Sequence, residues 1–290
     1  MNTKSFTLIE IMIVVLTISI LSSIVYVASG GVRERGEFAK VLMFSEKLNS
    51  SLAENVVGQW DFNEGTGSSV YDSSLNANTG TITGATWETT KANCISGTCL
   101  SFRGAGYTDR VNIANSTTFD VSRLTISAWA YSTNFSQNGF IFEKGPVNTQ
   151  YSLFFETSYI TFRNDNSSDV SDDLDVTLAD AGIINSKWHN IVATYDGVNK
   201  KIYIDGIEKG TKPYNQTLKT GQSGETIGVY GGGTNGYPFN GKIDELRIYD
   251  AAISVSQIQK DYYVGINKLL INNQISKQEY SERIKLAENE

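Results

Sequence analysis

Few side chains in this sequence are typed and spaced for chemistry. The loop YDSSLNANTG carries Asp72, Asn76 and Asn78 close together, and carboxylate and amide oxygens are what Ca²⁺ takes as ligands. It is not an EF-hand loop, because the twelfth position counted from Asp72 is Thr83 rather than Glu. Asp and Asn are also the standard turn residues, so the same letters read equally well as a hydrogen-bonded turn. His189, in KWHNIV, is the single histidine. A nucleophilic triad is defined by geometry and not by chain order, so no catalytic residue is assigned. Cys94 and Cys99, in KANCISGTCLSF, enclose a short loop containing Gly97 that can bring two Cβ atoms together. Two cysteines and one histidine are too few for a zinc site. The acidic stretch NDNSSDVSDDLD (residues 164–175) matches no metal template and reads as a solvated loop, with metal binding the lesser alternative. Finally, Glu10 places a carboxylate at the head of the run Ile11–Ala28, which has no charged side chain.

The elements that carry these residues fall into three textures. The first is the apolar run itself, long enough for a membrane-spanning helix, which needs roughly 20 residues. A cleaved secretory signal is the other reading, but the leader carries only Lys4 and no A-x-A-like site follows; Ser22, Ser23, Ala28 and Ser29 mimic one weakly. A plain anchor leaves Glu10 unexplained, since an ionisable group near the bilayer core costs about 2.5–3.5 kcal/mol. Beyond the run, Phe38, Val41, Leu42, Leu48 and Leu52 fall on or near one helical face, with Arg35, Glu37, Lys40, Glu46 and Lys47 around them. The expectation is one helix over residues 6–55, its membrane half at about 8–28 and its second half amphipathic. Past such an anchor the compartment is oxidising, so Cys94 and Cys99 are expected to be bonded to each other; free thiols would go with a reducing compartment.

SFTLIE followed by an apolar helix resembles the N-terminus of type IV pilins and of the pseudopilins of type II secretion. The resemblance implies a leader of residues 1–5, cut by a prepilin peptidase between Ser5 and Phe6 on the cytoplasmic side, and N-methylation of Phe6. It implies that Glu10 meets the terminal amine of a neighbouring subunit during filament assembly. Its partners would be that peptidase, other pilin or pseudopilin subunits, the assembly platform and the membrane. The protein would sit single-pass in the cytoplasmic (inner) membrane with its head outside, then in an extracellular filament. Ser5 replaces the family's usual Gly, and the helix-kinking proline of many major pilins is absent, the prolines being Pro146, Pro213 and Pro238.

The second texture, from residue 56 to about 253, is β. Short alternating or apolar segments such as LTISAWAYS, GFIFEKG, YSLFFE, YITFRN and KKIYIDG recur between Gly, Asn, Asp and Ser turns, without intervening helices. Three prolines and 26 glycines suit such a turn-rich chain. Asp205-Gly206 marks a hairpin. This predicts a mainly β, antiparallel jelly-roll sandwich with Trp60, Trp129 and Trp188 in its core. The third texture is a helical tail, residues 254–290. Capping-box patterns at Ser254-x-x-Gln257 and Ser276-x-x-Glu279 predict helices near 255–272 and 277–288, packed on the sandwich or exposed. A net charge of -7 with no basic run argues against nucleic acid as a partner.

VGQWDFNEGTGSSVYDSSLNANTG, LTISAWAY, KWHNIVATYDGVNKKIYIDG and FNGKIDELRIYDAAISVSQI, in that order, resemble the laminin G-like (concanavalin A-like) jelly-roll family across nearly all of Val57–Ile258. In that family calcium is often held near loops of the YDSSLNANTG kind, and Asp244 in KIDEL could join Asp72, Asn76 and Asn78; the alternative is that Asp244 binds backbone amides. Glycosidases of the broad fold carry an E-x-D-x-x-E strand motif that this chain lacks. The resemblance implies a head that binds glycan or another surface ligand without turning it over. Tyr107, Tyr131, Phe135, Tyr159, Tyr214 and Tyr237 are candidate contacts, and the ligand itself is not readable. A non-binding pseudopilin head and a membrane-anchored carbohydrate enzyme are the other readings.

Overall fold

A computed structural model describes residues 55–106, 108–145, 150–165, 171–221, 224–231 and 236–288. The expected leader, membrane segment, stalk and Glu10 lie outside these residues. Among the described residues, no helix is long and apolar enough to cross a membrane. The first half of the chain supplies β1 (Val56–Trp60), β2 (Ser69–Val70), β3 (Gly80–Thr83), β4 (Thr86–Glu88), β5 (Cys99–Arg103), β6 (Arg110–Ile113), β7 (Leu124–Ser132) and β8 (Gly139–Lys144). There follow β9 (Tyr151–Glu156), β10 (Tyr159–Asp165), β11 (Ser171–Thr177), the single turn α1 (Leu178–Ala181), β12 (Lys187–Tyr195), β13 (Asn199–Ile204) and β14 (Ile207–Pro213). The last elements are β15 (Glu225–Ile227), β16 (Asn240–Tyr249), α2 (Val255–Ile271) and α3 (Lys277–Glu288).

These strands form two antiparallel sheets. One runs β14-β13-β12-β7-β16-β5-β4, with β1 pairing the C-terminal half of β16; the other runs β11-β10-β9-β8-β15-β6-β3-β2. The hairpin at Asp205-Gly206 forms as the sequence predicts. Both residues have positive φ, 53° and 83°, the left-handed pair that a two-residue turn needs to match the strand twist. Strand parity builds the interior: Ile126, Ala128 and Ala130 of β7 meet Leu153, Phe155, Ile160 and Phe162 of β9 and β10, with Trp60 and Phe119 between the sheets.

The opposite parity of the first sheet points away from that core, and a third layer covers it. Trp129 and Trp188 pack there against Tyr262, Ile266 and Leu269 of α2, together with Cys94, Ile95 and Cys99. The expectation that Trp129 and Trp188 fill the sandwich core is thus corrected, because LTISAWAYS alternates and puts Trp129 on the face opposite Ile126 and Ala128. Both helical predictions hold to within a residue. Ser254 Oγ accepts from the Gln257 N–H and Ser276 Oγ from the Glu279 N–H, each satisfying an orphan donor of a first turn.

Candidate functional site

Polar side chains are expected on the solvent side of a sandwich strand, yet β8 and β9 carry large apolar residues on both parities. Phe155 faces the core, while its neighbour Phe154 faces outward, opposite Phe140 of the adjacent strand. The two outward rings stack in parallel, 4.4 Å between centroids and 4° between planes. Tyr230 packs on Phe140 at 5.3 Å, and the Arg163 guanidinium lies over Phe154 at 5.0 Å, which leaves both phenylalanines buried. Two such rings off a sheet cost several kcal/mol if left wet, so their cover is built in.

Above this floor opens a cleft of about 280 Å³ lined by Asn138, Phe140, Phe154, Phe155, Glu156, Arg163, Tyr230 and Tyr237. Tyr237 is 53% exposed and stands at the mouth; its carbonyl accepts the Phe140 N–H and so ties this segment to β8. Asn138 is fixed by its Oδ1, which accepts the Thr157 N–H at 2.7 Å. Arg163 is fixed by Asp173, whose oxygens accept Nε at 2.8 Å and Nη2 at 2.7 Å. That bonding raises the guanidinium pKa above its ordinary value, against the effect of burial. A concave, aromatic-lined site with a few fixed polar groups is the usual form of a small-ligand site.

The residues singled out by sequence lie elsewhere. Asp72, Asn76 and Asn78 do come together, but around protein groups. Asp72 Oδ1 accepts the N–H of Gln59 and of Ser74, and Oδ2 accepts the Ser74 hydroxyl and the Asn78 N–H, all at 2.8 Å. The amides of Asn76 and Asn78 both donate to the Val57 carbonyl. Asp244 belongs to a different cluster. It sits at a bulge in β16 on the outer side of the first sheet, where it accepts the N–H groups of Ile95, Ser96 and Glu245. Burial and the neighbouring Glu245 push its carboxyl well up, whereas Arg247 and Lys268 hold Glu245 down despite its own burial. Asp244 thus anchors the loop closed by the Cys94–Cys99 disulfide. Those two sulfurs come near the Asp244 carboxylate, but a cystine offers no thiolate for a metal.

His189 is buried edge-on to Phe135. Its Nε2 accepts the Ile184 N–H at 3.0 Å and its Nδ1 meets Asp205 Oδ2 at 2.8 Å, an arrangement that braces the β13–β14 turn. Burial alone would raise Asp205; the His189 ring and Arg283 hold it below the usual carboxylate value. The described ends of the acidic stretch are corrected from solvated loop to strand, Asn164 and Asp165 closing β10 and residues 171–175 lying in β11, where Asp172 pairs with Lys200 and Lys212, Asp173 with Arg163, and Asp175 with Thr161. Of the aromatic candidates, Phe135 and Tyr214 are core, Tyr131 packs on Trp188, Tyr159 is exposed outside the cleft, and Tyr107 lies outside the described residues. Tyr237 alone lines the cleft. The signal for the rest was the consecutive Phe154-Phe155, apolar on both faces of one strand.

A second cleft of about 170 Å³ lies where the helical tail meets Tyr131 and Trp188. Its polar groups are already matched, Lys187 to Glu279 and Arg283 to the Trp188 carbonyl, which makes it a packing seam.

A sequence profile described as the Concanavalin A-like lectin/glucanases superfamily, of laminin G type, matches residues 105–259. No curated protein matches the chain. Among solved structures, the binding domain of Paraclostridial Mosquitocidal Protein 1 is similar with a TM-score of 0.60 and 15% identity, over 74% of this chain and 53% of that one. The binding domain of botulinum neurotoxin DC in complex with SialylT gives 0.56 and 12%, over 73% and 52%. Domain 4 of AbnA, an extracellular arabinanase from Geobacillus stearothermophilus, in complex with arabinotriose, gives 0.55 and 21%, over 72% and 98%. The chain thus spans about half the length of the toxin domains and nearly all of the arabinanase domain. At these identities the likeness is one of fold.

Proposed function

The chain belongs to the Concanavalin A-like lectin/glucanases superfamily, and on that premise we propose that its β head binds glycan in the cleft floored by Phe140 and Phe154. The observation that carries this is the pair of outward aromatics covered by Tyr230 and Arg163, with Tyr237 lining the cleft beside them, on a face that a purely structural sandwich would leave polar. A sugar ring offers an apolar C–H face to the tyrosines, while Asn138, Glu156 and Arg163 meet its hydroxyls. Binding without turnover fits a cleft whose described lining residues include one carboxylate, Glu156, since glycoside hydrolysis uses two flanking the bond. Calcium plays no part in this reading, because Asp72 and Asp244 spend their oxygens on N–H and O–H donors of the chain.

The N-terminal motif supports the second half of the proposal: a pilin-like or pseudopilin-like anchor that displays the head at the cell surface, in an adhesive filament. Glycan-array binding by the full chain in detergent tests the site. Tyr237→Ala should weaken binding at least tenfold with an unchanged melting temperature, because an exposed tyrosine contributes little to the fold. Binding that ignores the substitution places the ligand elsewhere.

A further inference from the structure

We infer that the cleft selects uncharged glycans and rejects those ending in a carboxylate sugar, such as sialic acid; this rests on the glycan-binding reading above. Arg163 is the sole cation among the described lining residues, and it is already committed. Asp173 takes it through two parallel N–H···O bonds, the geometry a ligand carboxylate would itself require, and Phe154 occupies one of its faces. N–H groups remain on Nη1 and Nη2, but their charge is already offset by Asp173, so an incoming anion must share a neutralised pair or do without it.

The surroundings make doing without it costly. Glu156 lines the same cleft, Asp173 stands behind Arg163, and Asp175 follows on the same outer face, where it accepts the Thr161 hydroxyl at 2.8 Å. Beneath the segment that bears Tyr230, Glu143 is fully buried and accepts the Gly231 N–H at 2.7 Å. Asp173, Asp165 and Glu156 all act on the one guanidinium, and the local field repels a further anion. A neutral ring meets no such penalty. Its hydroxyls need only single hydrogen bonds, and its C–H face needs only Tyr230 and Tyr237. The site is a stacking platform with a negative rim.

The experiment uses the full chain in detergent and an array of neutral oligosaccharides, arabinotriose among them. Each is paired with its sialylated or uronic-acid counterpart and read at low and high salt. Neutral members should bind with little salt dependence. Their acidic counterparts should bind at least tenfold more weakly at low salt. That gap should shrink at high salt and in Glu156→Gln. An acidic member bound as well as its neutral partner, through a Tyr237-dependent site, overturns the charge exclusion and leaves glycan binding standing. Absence of binding to every member, or binding indifferent to Tyr237→Ala, overturns both.

Discussion

Lys144 is fully buried between the sheets, with Glu225 Oε1 at 3.1 Å and Asp120 Oδ1 at 3.2 Å. It belongs to a row of inward residues that crosses adjacent strands, Asn164 beside Tyr151 beside Lys144 beside Glu225. Such a row has to settle its charge internally. Burial raises the Glu225 carboxyl from 4.5 to about 7, outweighing the Lys144 ammonium, and Asp120 adds to the rise. The folded state therefore holds a proton that the unfolded chain gives up in this range. The associated stabilisation is full below about 4.5 and is lost as pH rises through 7. A displacement of that size corresponds to about 3 kcal/mol. Glu225→Gln mimics the protonated acid and does not titrate. Urea unfolding followed by tryptophan fluorescence should thus show the variant gaining on the wild type by about that amount between pH 4.5 and 8. A gap that stays constant over the range would mean that Glu225 is ionised throughout.

The helical tail shows which parts of the fold the sequence discloses and which it conceals. Its caps and boundaries were readable because Ser254 and Ser276 act locally, each on its own first turn. The strands and the Asp205-Gly206 turn were readable for the same reason. What the tail covers is not legible locally, although the parity of Trp129 holds the signal, because assigning a face requires knowing that a third layer exists. The cleft was concealed in a similar way: Phe154, Arg163 and Tyr230 come from separate segments and meet only through strand register. Gly265 records the third layer. It sits inside α2 where alanine would normally add about 1 kcal/mol of helix stability. A Cβ there, however, would enter the van der Waals shell of the Trp129 indole, which is stacked on Tyr262 at 5.9 Å. Overpacking a rigid ring costs about 1–3 kcal/mol, so Gly265→Ala should destabilise the head by about 1–2 kcal/mol net. Trp129→Phe in the same chain should recover part of that loss, since the smaller ring vacates the space. A Gly265→Ala chain that melts higher than wild type would show that α2 does not press on the first sheet.

Over the whole molecule, a net charge of -7 and an apolar N-terminal run set the terms on which copies meet. Acidic heads repel one another within the screening length, so on the pilin-like reading proposed above self-assembly would draw on the N-terminal segment. Glu10 is the residue through which such assembly would be specified. Insertion alone would be easier without it, by about 2.5–3.5 kcal/mol on insertion scales. Removing one partner of a buried ion pair costs about 3–5 kcal/mol, more than the insertion gain, so the carboxylate is worth keeping only where an amine of another subunit completes it. That amine exists once the chain is cut before Phe6. Glu10→Ala is therefore expected to leave membrane residence and cleavage nearly intact while sharply lowering the number of surface filaments that carry the head, counted by electron microscopy with a head-directed label. Mass spectrometry of the same preparations should find Phe6 as the first residue in both proteins, methylated in the wild type. Wild-type filament numbers from the Glu10→Ala chain would remove the assembly role. A mature chain that begins at Met1, or just after Ala28, would remove the pilin-like anchor and leave the β head to reach a ligand by another route.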